Sequence, residues 1–353
     1  MKKYIIILFI IFLSFVGIEA ISQIVFAYQI NPKCELLDNP IFSSLDYKKI
    51  SEMCNEIKLL KYNNFDIRLI QPNQQIGEID INTEGFRGKE FSVKKKPNEY
   101  RIFVVGSSMV FGLGATSGET TIPSILQKKF ELIDNNITVI NAGIVAANSA
   151  SETYLIEKYL TKYEPDLIIV YEGYTDSWNI PKYDIIPNQS QSITKLTDLE
   201  KFVKNNFSSF AFPKLVYQKT HDYLEFKKNL KEEIKENSQL WKNRWERTCL
   251  SQNIPIIILM QPMVGIGEKS LTENEKQFLK SVKHQYILDA YKELLLKSKE
   301  LESKCEKVLD ITYVFDSIDS QVFISSAHLT DFGNEIIAQK MFEILEPYIA
   351  VGK

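Results

Sequence analysis

The chain has few of the residues from which metal centres, redox motifs and disulfide scaffolds are built. Its 353 residues include 3 histidines, His221, His284 and His328, so a multi-histidine metal site is not expected. None of the 4 cysteines lies in a Cys-x-x-Cys pair, which excludes a zinc ribbon and a thioredoxin-like motif. Lysine and arginine number 42 against 45 acidic residues, a net charge of -3, so no basic field favours a nucleic-acid partner.

Phosphate-binding loops are lacking as well. The glycine-flanked stretch 106–114 (GSSMVFGLG) has no lysine after its second glycine, as a nucleotide-binding P-loop requires. Ser117 stands where the dinucleotide fingerprint G-x-G-x-x-G needs its third glycine. No metal or organic cofactor is therefore implied. Hydrophobic residues at 44% and charged residues at 25% are ordinary globular values, which exclude a disordered chain and a polytopic membrane protein.

An apolar segment opens the chain. Two lysines precede fifteen uncharged residues, and Glu19 separates these from a second, mostly apolar stretch. Residues 1–28 are therefore predicted to form a signal-anchor helix in a membrane, and the positive-inside rule places the rest of the chain outside the cytoplasm. Two alternatives remain open. The segment is a signal peptide cleaved after Ala20, in which case the chain is secreted, or it is a buried helix of a soluble protein.

Export makes disulfide bonds available to the cysteines. Cys34 and Cys54 lie close together in the sequence, and Cys249 and Cys305 lie in its later half. The hypothesis is one bond within each pair. Reduced, buried thiols are the alternative.

The sequence pattern changes near residue 100. Residues 29–99 are polar with short apolar pieces and are interpreted as a stalk and lead-in segment with little core of their own. Residues 100–350 alternate helical stretches with short apolar, β-branched runs, the pattern of a parallel sheet covered on both faces. This predicts a three-layer α/β/α sandwich with a parallel sheet of about five strands. The predicted strands are 101–105, 137–140, 166–171, 254–260 and 308–311.

Residues 181–247 interrupt this alternation. They are rich in lysine and aromatic residues and are predicted to form a helical insertion above the carboxyl ends of the strands. One interpretation is a lid with a substrate-facing or membrane-facing surface. The other is a pair of helices that buries its aromatic side chains against the sheet.

The residues that follow the strands are the candidates for chemistry, because parallel sheets bind ligands at the carboxyl ends of their strands. Ser108 follows the first strand in a glycine-flanked turn, where its hydroxyl can be exposed beside backbone N–H groups. Gly143 follows the second strand and lets a ligand approach the backbone closely. Thr175 follows the third strand, and His328 stands just before the last predicted helix.

Four blocks of the chain, taken in order, resemble the SGNH/GDSL hydrolase family. The resemblance extends over 82–349, and the stretch 82–88 (NTEGFRG) looks like the opening of exported members. It implies a flavodoxin-like order of strands and serine-dependent hydrolysis or transfer of esters. The four blocks are 106–108 (GSS), 141–143 (NAG), 173–176 (GYTD) and 326–334 (SAHLTDFGN).

The resemblance also implies roles for individual residues. The nucleophile of the family falls on Ser108, and its general base falls on His328. The backbone N–H groups of Ser108 and Gly143 correspond to the donors that stabilise the oxyanion.

Two side chains of the family are replaced in this chain. Thr175 stands in place of the asparagine that donates to the oxyanion, and its hydroxyl is shorter. Ser325 stands in place of the aspartate that orients the histidine, and it carries no negative charge. Ser325 itself can hold the ring, and four aspartates are candidates to replace the missing charge: Asp176, Asp316, Asp319 and Asp331.

Together these features predict an extracytoplasmic serine esterase or acyltransferase. Its expected partners are the membrane, through the N-terminal helix, and an acylated carbohydrate or other small ester, above all an O-acetyl ester at the cell surface. Ser108 would form an acyl-enzyme. The alternative is a catalytically silent protein of the same fold that binds or organises polysaccharide during envelope assembly.

Overall fold

The structure is a computed structural model that describes residues 14, 16–21, 47–64, 67–178, 230–280 and 282–351. The chain divides into two units. The first comprises Met1–Glu35 and Asn188–Glu232, of which only a few residues are described. The second comprises Leu36–Pro187 and Glu233–Lys353 and holds the strands of the described chain.

The helices and strands, labelled in chain order, alternate from residue 100 onward. They are α1 Tyr47–Leu59, β1 Tyr62–Asn64, β2 Arg68–Ile70, β3 Gln74–Ile76, β4 Ile79–Ile81, β5 Tyr100–Gly106, α2 Ser108–Phe111, α3 Ile122–Glu131, β6 Ile137–Gly143, α4 Ser149–Lys158, β7 Leu167–Glu172, α5 Tyr174–Trp178, α6 Leu230–Ser251, β8 Ile256–Met260, α7 Glu273–Lys276, α8 Val282–Ser298, β9 Lys307–Asp310 and α9 Asp331–Val351.

The central sheet has five parallel strands in the order β6–β5–β7–β8–β9. Every residue of β7 and β8 is buried, as expected where helices cover both faces of a sheet. Counted along the chain, the strand order is 2-1-3-4-5, the flavodoxin-like order. The predicted α/β/α sandwich is therefore confirmed, and each of the five predicted strands is present.

The carboxyl ends of the first three parallel strands lie level with one another. Gly106 at the end of β5 pairs with Gly143 of β6 on one side and with Tyr171 of β7 on the other. The chain order reverses direction across the sheet between β5 and β7, and a sheet of this topology opens a crevice at that point. Residues that follow β5, β6 and β7 are thereby brought to one edge.

Where the structure describes it, the segment before the sheet is not a stalk. Its described part, 47–64 and 67–99, forms α1 and the antiparallel hairpins β1–β2 and β3–β4. Phe86 packs edge-on against Phe103 of β5, with ring centroids 5.7 Å apart. The prediction of little core is wrong for this part, because its short apolar pieces pack into a core shared with the sheet domain. One cluster there contains Leu60, Ile70, Ile79, Ile81 and Phe111.

The predicted insertion is described only from residue 230, where α6 begins, and the remainder of 181–247 lies outside the described residues. Trp241 and Trp245 of α6 are fully buried. The indole N–H of Trp241 donates to Glu172 Oε1 at 2.7 Å, at the end of β7. This part of the insertion buries its aromatic side chains against the sheet, as the second interpretation expects.

Cys249 at the end of α6 and Cys305 before β9 form a disulfide bond, as predicted. Cys34 lies outside the described residues, so the bond predicted between Cys34 and Cys54 stays a prediction.

The predicted N-terminal anchor falls almost wholly outside the described residues, which include only Ser14 and 16–21 of residues 1–28. Among the residues that the structure describes, no helix is long and apolar enough to cross a membrane.

Candidate active site

Ser108 is presented on a one-turn helix that directly follows β5. Gly112 ends this helix in a left-handed conformation, with φ 96°, and its N–H donates to the Ser108 carbonyl oxygen at 3.0 Å. The turn is so tight that a Cβ on Gly106 would lie 2.5 Å from Val110 and 2.7 Å from the carbonyl oxygen of Tyr171. Glycine at this position therefore lets the chain turn sharply out of the sheet and bring the serine hydroxyl to its edge.

His328 is presented on a closed loop, 323–329, whose two ends pair with each other. Inside the loop, the Ile324 N–H donates to the carbonyl oxygen of His328 at 2.9 Å. From outside, the Val264 N–H donates to the Ser326 carbonyl oxygen at 2.9 Å. These backbone bonds fix the direction in which the imidazole points.

A buried carboxylate holds the start of the same loop. Glu275 Oε1 accepts hydrogen bonds from the N–H groups of Val322, at 2.9 Å, and Phe323, at 3.0 Å. Its other oxygen lies 3.3 Å from the Lys269 ammonium. Burial alone would raise the pKa of Glu275, but the backbone donors and Lys269 outweigh it and lower the pKa below its ordinary value. Glu275 is thus an ionised anchor for the histidine loop.

The two loops bring Ser108 and His328 into direct contact. Ser108 Oγ lies 2.8 Å from His328 Nε2, although the residues are 220 positions apart in the sequence. On the other side of the ring, Ser325 Oγ lies 2.6 Å from Nδ1. The ring is partly exposed but surrounded by protein, and this desolvation lowers the pKa of His328 to about 4. The imidazole is therefore neutral at physiological pH.

Gly143 lies at the carboxyl end of β6, as predicted, but its N–H has an acceptor within the protein. Its N–H donates to Asn141 Oδ1 at 3.0 Å, so it already has an acceptor and is not free to bind an oxyanion. A Cβ at Gly143 would lie 2.1 Å from the backbone nitrogen of Phe111. The glycine is needed here because β6 packs directly against the backbone of the helix that carries Ser108.

Asp331 does not orient His328 either. Its carboxylate accepts hydrogen bonds from the N–H of Thr116, at 3.0 Å, and from the Thr116 hydroxyl. Two of the other aspartates are also used elsewhere: Asp176 binds Ser149, and Asp316 accepts from the N–H of Glu268. Ser325 is the residue that the structure places on the second ring nitrogen. Thr175 is buried in α5, directly after the end of β7.

Arg87 supports the serine turn, a role that no sequence pattern indicates. Its Nη1 donates to the carbonyl oxygens of Phe111, at 3.0 Å, and Gly112, at 3.1 Å, at the end of α2. Its Nη2 donates to the Glu78 carbonyl oxygen at 3.2 Å. Desolvation of this buried side chain lowers its pKa to about 10, so the guanidinium stays charged at neutral pH. The lead-in segment thus holds the end of the helix that begins with Ser108.

A pair of buried carboxyl groups lies beside this edge of the sheet and was also missed. Glu152 of α4 and Glu172 of β7 are 1% exposed, and burial raises the pKa of each well above its ordinary value. The Glu152 carboxyl accepts no N–H among the described residues. Its neighbours are the Glu172 carboxyl, with which it shares a hydrogen bond, and Asp176, whose negative charge raises the pKa of Glu152 further. Two carboxyls in such contact share at least one proton, because both cannot ionise in a buried site.

Comparisons with known proteins give structural matches only. No protein-family model matches the chain, and no curated protein matches its sequence. The chain is similar to an acetyl xylan esterase, at 13% identity and a TM-score of 0.40, over 69% of this chain and 99% of that protein. It is similar to a carbohydrate acetylesterase family member from Sinorhizobium meliloti, at 15% identity and a TM-score of 0.41, over 71% and 99%.

A third match is a lipolytic protein of the G-D-S-L family from Veillonella parvula, at 13% identity and a TM-score of 0.40, over 70% of this chain and 98% of that protein. In this chain the strand order is 2-1-3-4-5, and Ser108 and His328 meet at the carboxyl edge of the sheet.

Arg87→Leu is expected to lower the reactivity of Ser108. The substitution removes the hydrogen bonds from the charged guanidinium to the Phe111 and Gly112 carbonyl groups, whose remaining donors lie 3.3–3.4 Å away. This loss costs roughly 1–3 kcal/mol of stability. Displacement of the turn should slow the reaction of Ser108 with a fluorophosphonate by roughly 10–100-fold per folded molecule. Labelling is measured by mass spectrometry and corrected for the folded fraction from circular dichroism.

Arg101→Leu is the matched control for Arg87→Leu. Arg101 is also buried, but it lies at the amino end of β5 and pairs with Glu99 at 3.0 Å. Arg101→Leu should lower the stability of the protein without changing the labelling rate of Ser108 per folded molecule. Equal labelling rates in the two variants would contradict a positioning role for Arg87.

Glu152→Gln is expected to stabilise the protein at alkaline pH. An acid whose pKa is raised by folding loses stability as pH rises from its ordinary value, about 4.5, through its folded value. Glutamine removes this loss and can donate an N–H to Glu172. The melting temperature should rise by roughly 2–4 °C per kcal/mol gained, and more at pH 8 than at pH 5. The control is Glu157→Gln, a position where the carboxylate already accepts from Thr248. For Glu152→Gln, a rise in melting temperature at pH 8 that is no larger than the rise at pH 5 would contradict the account.

Proposed function

We propose that the chain is a serine esterase or acyltransferase of SGNH type that acts on O-acyl esters, above all O-acetyl esters of carbohydrate. The observation that carries the proposal is the 2.8 Å contact between Ser108 Oγ and His328 Nε2 at the carboxyl edge of the sheet. A hydroxyl in hydrogen-bond contact with a neutral imidazole is the minimal arrangement for nucleophilic attack assisted by a general base.

In the first half of the reaction, Ser108 Oγ attacks the carbonyl carbon of the ester. His328 Nε2 takes the hydroxyl proton as the new carbon–oxygen bond forms, and the carbonyl oxygen becomes an oxyanion. The ester bond then breaks, and the leaving alcohol takes the proton from Nε2. The acyl group remains on Ser108 as an ester.

In the second half, water or a sugar hydroxyl repeats the sequence. The acceptor loses its proton to His328 Nε2 and attacks the acyl-enzyme, and the proton returns to Ser108 Oγ as the acyl group leaves. Water as acceptor gives hydrolysis, and a sugar hydroxyl gives acyl transfer.

The oxyanion needs donors other than Gly143. The proposed donors are the backbone N–H of Ser108 and the hydroxyl of Thr175. Removal of one such donor typically lowers the rate by ~10²–10³-fold. An oxyanion site with a hydroxyl in place of an amide and without the Gly143 N–H should therefore favour activated esters and work slowly.

The carbohydrate substrate and the location are parts of the same proposal. Acylated carbohydrate is the substrate class that the family resemblance implies for an exported member. A location outside the cytoplasm is supported by the apolar residues 1–28 and by the disulfide bond between Cys249 and Cys305, since such bonds persist in oxidising compartments. Attachment to a membrane through 1–28 belongs to this proposal.

The second candidate is a protein that binds acylated polysaccharide without turning it over. It is favoured by the neutral partner of His328, because Ser325 contacts Nδ1 where hydrolases of this type carry a carboxylate. In a protease triad, replacement of the aspartate by asparagine lowers the rate by about 10⁴-fold.

Labelling with a fluorophosphonate separates these two candidates. In the full chain, the adduct should form on Ser108, disappear in Ser108→Ala and fall at least ~100-fold in His328→Ala, the scale of general-base assistance. Ser107→Ala is the matched control: the neighbouring serine is buried and contacts Met109 rather than His328, so labelling should persist. Absence of an adduct in a folded protein would favour the binding protein.

The labelling rate should not change with pH in the range where an ordinary histidine titrates. Only neutral imidazole accepts a proton, and desolvation lowers the pKa of His328 to about 4, so the fraction of neutral ring does not change with pH well above that value. The labelling rate should be flat between pH 6 and 8 and should fall only near pH 4. A rate that halves near the ordinary histidine pKa of ~6.5 would contradict the desolvated site.

A further inference from the structure

The hydrogen bonds of Ser325 determine what its hydroxyl can offer to His328. Ser325 Oγ accepts the backbone N–H of His328 at 3.1 Å and that of Ala327 at 3.4 Å. A hydroxyl has two acceptor lone pairs and one O–H donor. The two backbone bonds use both lone pairs, so the O–H remains for the third neighbour of Ser325, which is His328 Nδ1 at 2.6 Å.

A neutral imidazole that accepts at Nδ1 carries its hydrogen on Nε2. The tautomer of a histidine is assigned from its hydrogen-bond network, and here the network has one consistent solution. With this tautomer, the Nε2–H donates to Ser108 Oγ, which lies 2.8 Å from Nε2.

The surroundings of Ser108 are compatible with this direction. The sulfur of Met109 lies 3.5 Å from Ser108 Oγ and is an acceptor for the serine hydrogen when the hydroxyl oxygen receives the Nε2–H of His328. The serine is therefore an acceptor from His328 and a donor to Met109. The chain of hydrogen bonds runs from Ser325 through His328 to Ser108 and Met109. A general base requires the reverse direction at the first two residues.

On the basis of the function proposed above, we propose that Ser325 holds His328 in the Nε2–H tautomer, so that Ser108 rests unactivated until the ring changes its proton. For activation, solvent protonates Nδ1 and accepts the proton of Nε2, so the ring keeps one proton and its neutral charge. The Ser325 hydroxyl rotates and gives up the long bond from the Ala327 N–H, 3.4 Å, so that a lone pair is free to accept from Nδ1–H. Ser325 is a positioning residue in this scheme and touches no substrate.

An aspartate at this position would force the opposite tautomer. A carboxylate only accepts hydrogen bonds, so Nδ1 must carry the hydrogen and Nε2 is left free to take a proton. Asp331 cannot supply this effect, because its carboxylate is bound to Thr116. The identity of residue 325 therefore decides between a resting site and an activated site.

The tautomer is read directly by NMR of the full chain with ¹⁵N-labelled histidine. The chain has 3 histidines, and His328→Gln identifies the signals of His328. Long-range proton–nitrogen correlations should show the hydrogen on Nε2 in the wild type at neutral pH and on Nδ1 in Ser325→Asp. A wild-type ring with its hydrogen on Nδ1 would overturn the inference, whatever the activity.

Fluorophosphonate labelling gives the functional consequence. Ser325→Asp should accelerate labelling of Ser108 by between ~10- and ~10⁴-fold, the upper value being the effect of the triad aspartate in a serine protease. Ser325→Asn is the matched control of equal size. Its amide oxygen accepts the two backbone N–H groups and its NH₂ donates to Nδ1, so labelling should not exceed the wild-type rate.

The two measurements separate the inference from the proposed function. If the wild type labels on Ser108 but Ser325→Asp and Ser325→Asn label alike, the inference fails and the proposed function stands. If neither the wild type nor folded Ser325→Asp labels, the proposed function fails, and the activated site inferred here fails with it. If Ser325→Asp does not fold, the wild-type NMR spectrum alone decides the tautomer.

Discussion

The hydrogen bond between Ser108 and His328 depends on two turns that are held in place by side chains from outside them. The serine stands on a helix of a single turn, which has too few internal hydrogen bonds to be stable alone. Arg87 binds the carbonyl groups at the end of this helix, and Gly143 lets β6 pack against its backbone. On the other side, Glu275 binds the N–H groups at the start of the histidine loop. The site is therefore a product of buried polar contacts outside the reacting pair.

Neutral groups dominate the immediate surroundings of the imidazole. His328 is hydrogen-bonded to two hydroxyls, and three of the four aspartates that the sequence offers as partners bind other groups. A desolvated ring without a charged partner stays neutral, which avoids an unpaired buried charge. The same choice weakens the base, because nothing stabilises the imidazolium that forms during attack. A neutral residue at position 325 therefore favours the stability of the fold and lowers the reactivity of the site.

The sequence was sufficient where the signal is periodic or local. Continuous apolar runs predicted five strands of the parallel sheet, and the blocks around Ser108 and His328 predicted that these residues meet. The sequence was insufficient where the role of a residue depends on the partner of a single hydrogen bond. The N–H of Gly143 points to Asn141, and Asp331 points to Thr116. The role of Arg87 could not be predicted, because its partners are backbone carbonyl groups, which every residue type has.

Trapping the acyl-enzyme tests the central claim most directly. The protein is mixed with an activated acetyl ester such as 4-nitrophenyl acetate, quenched in acid and analysed by peptide mass spectrometry. The account predicts one acetyl group on Ser108, formed together with the release of nitrophenol and lost again on incubation with water or a sugar acceptor. An acetyl group on another side chain, or none on Ser108 in protein shown to be folded, would contradict it.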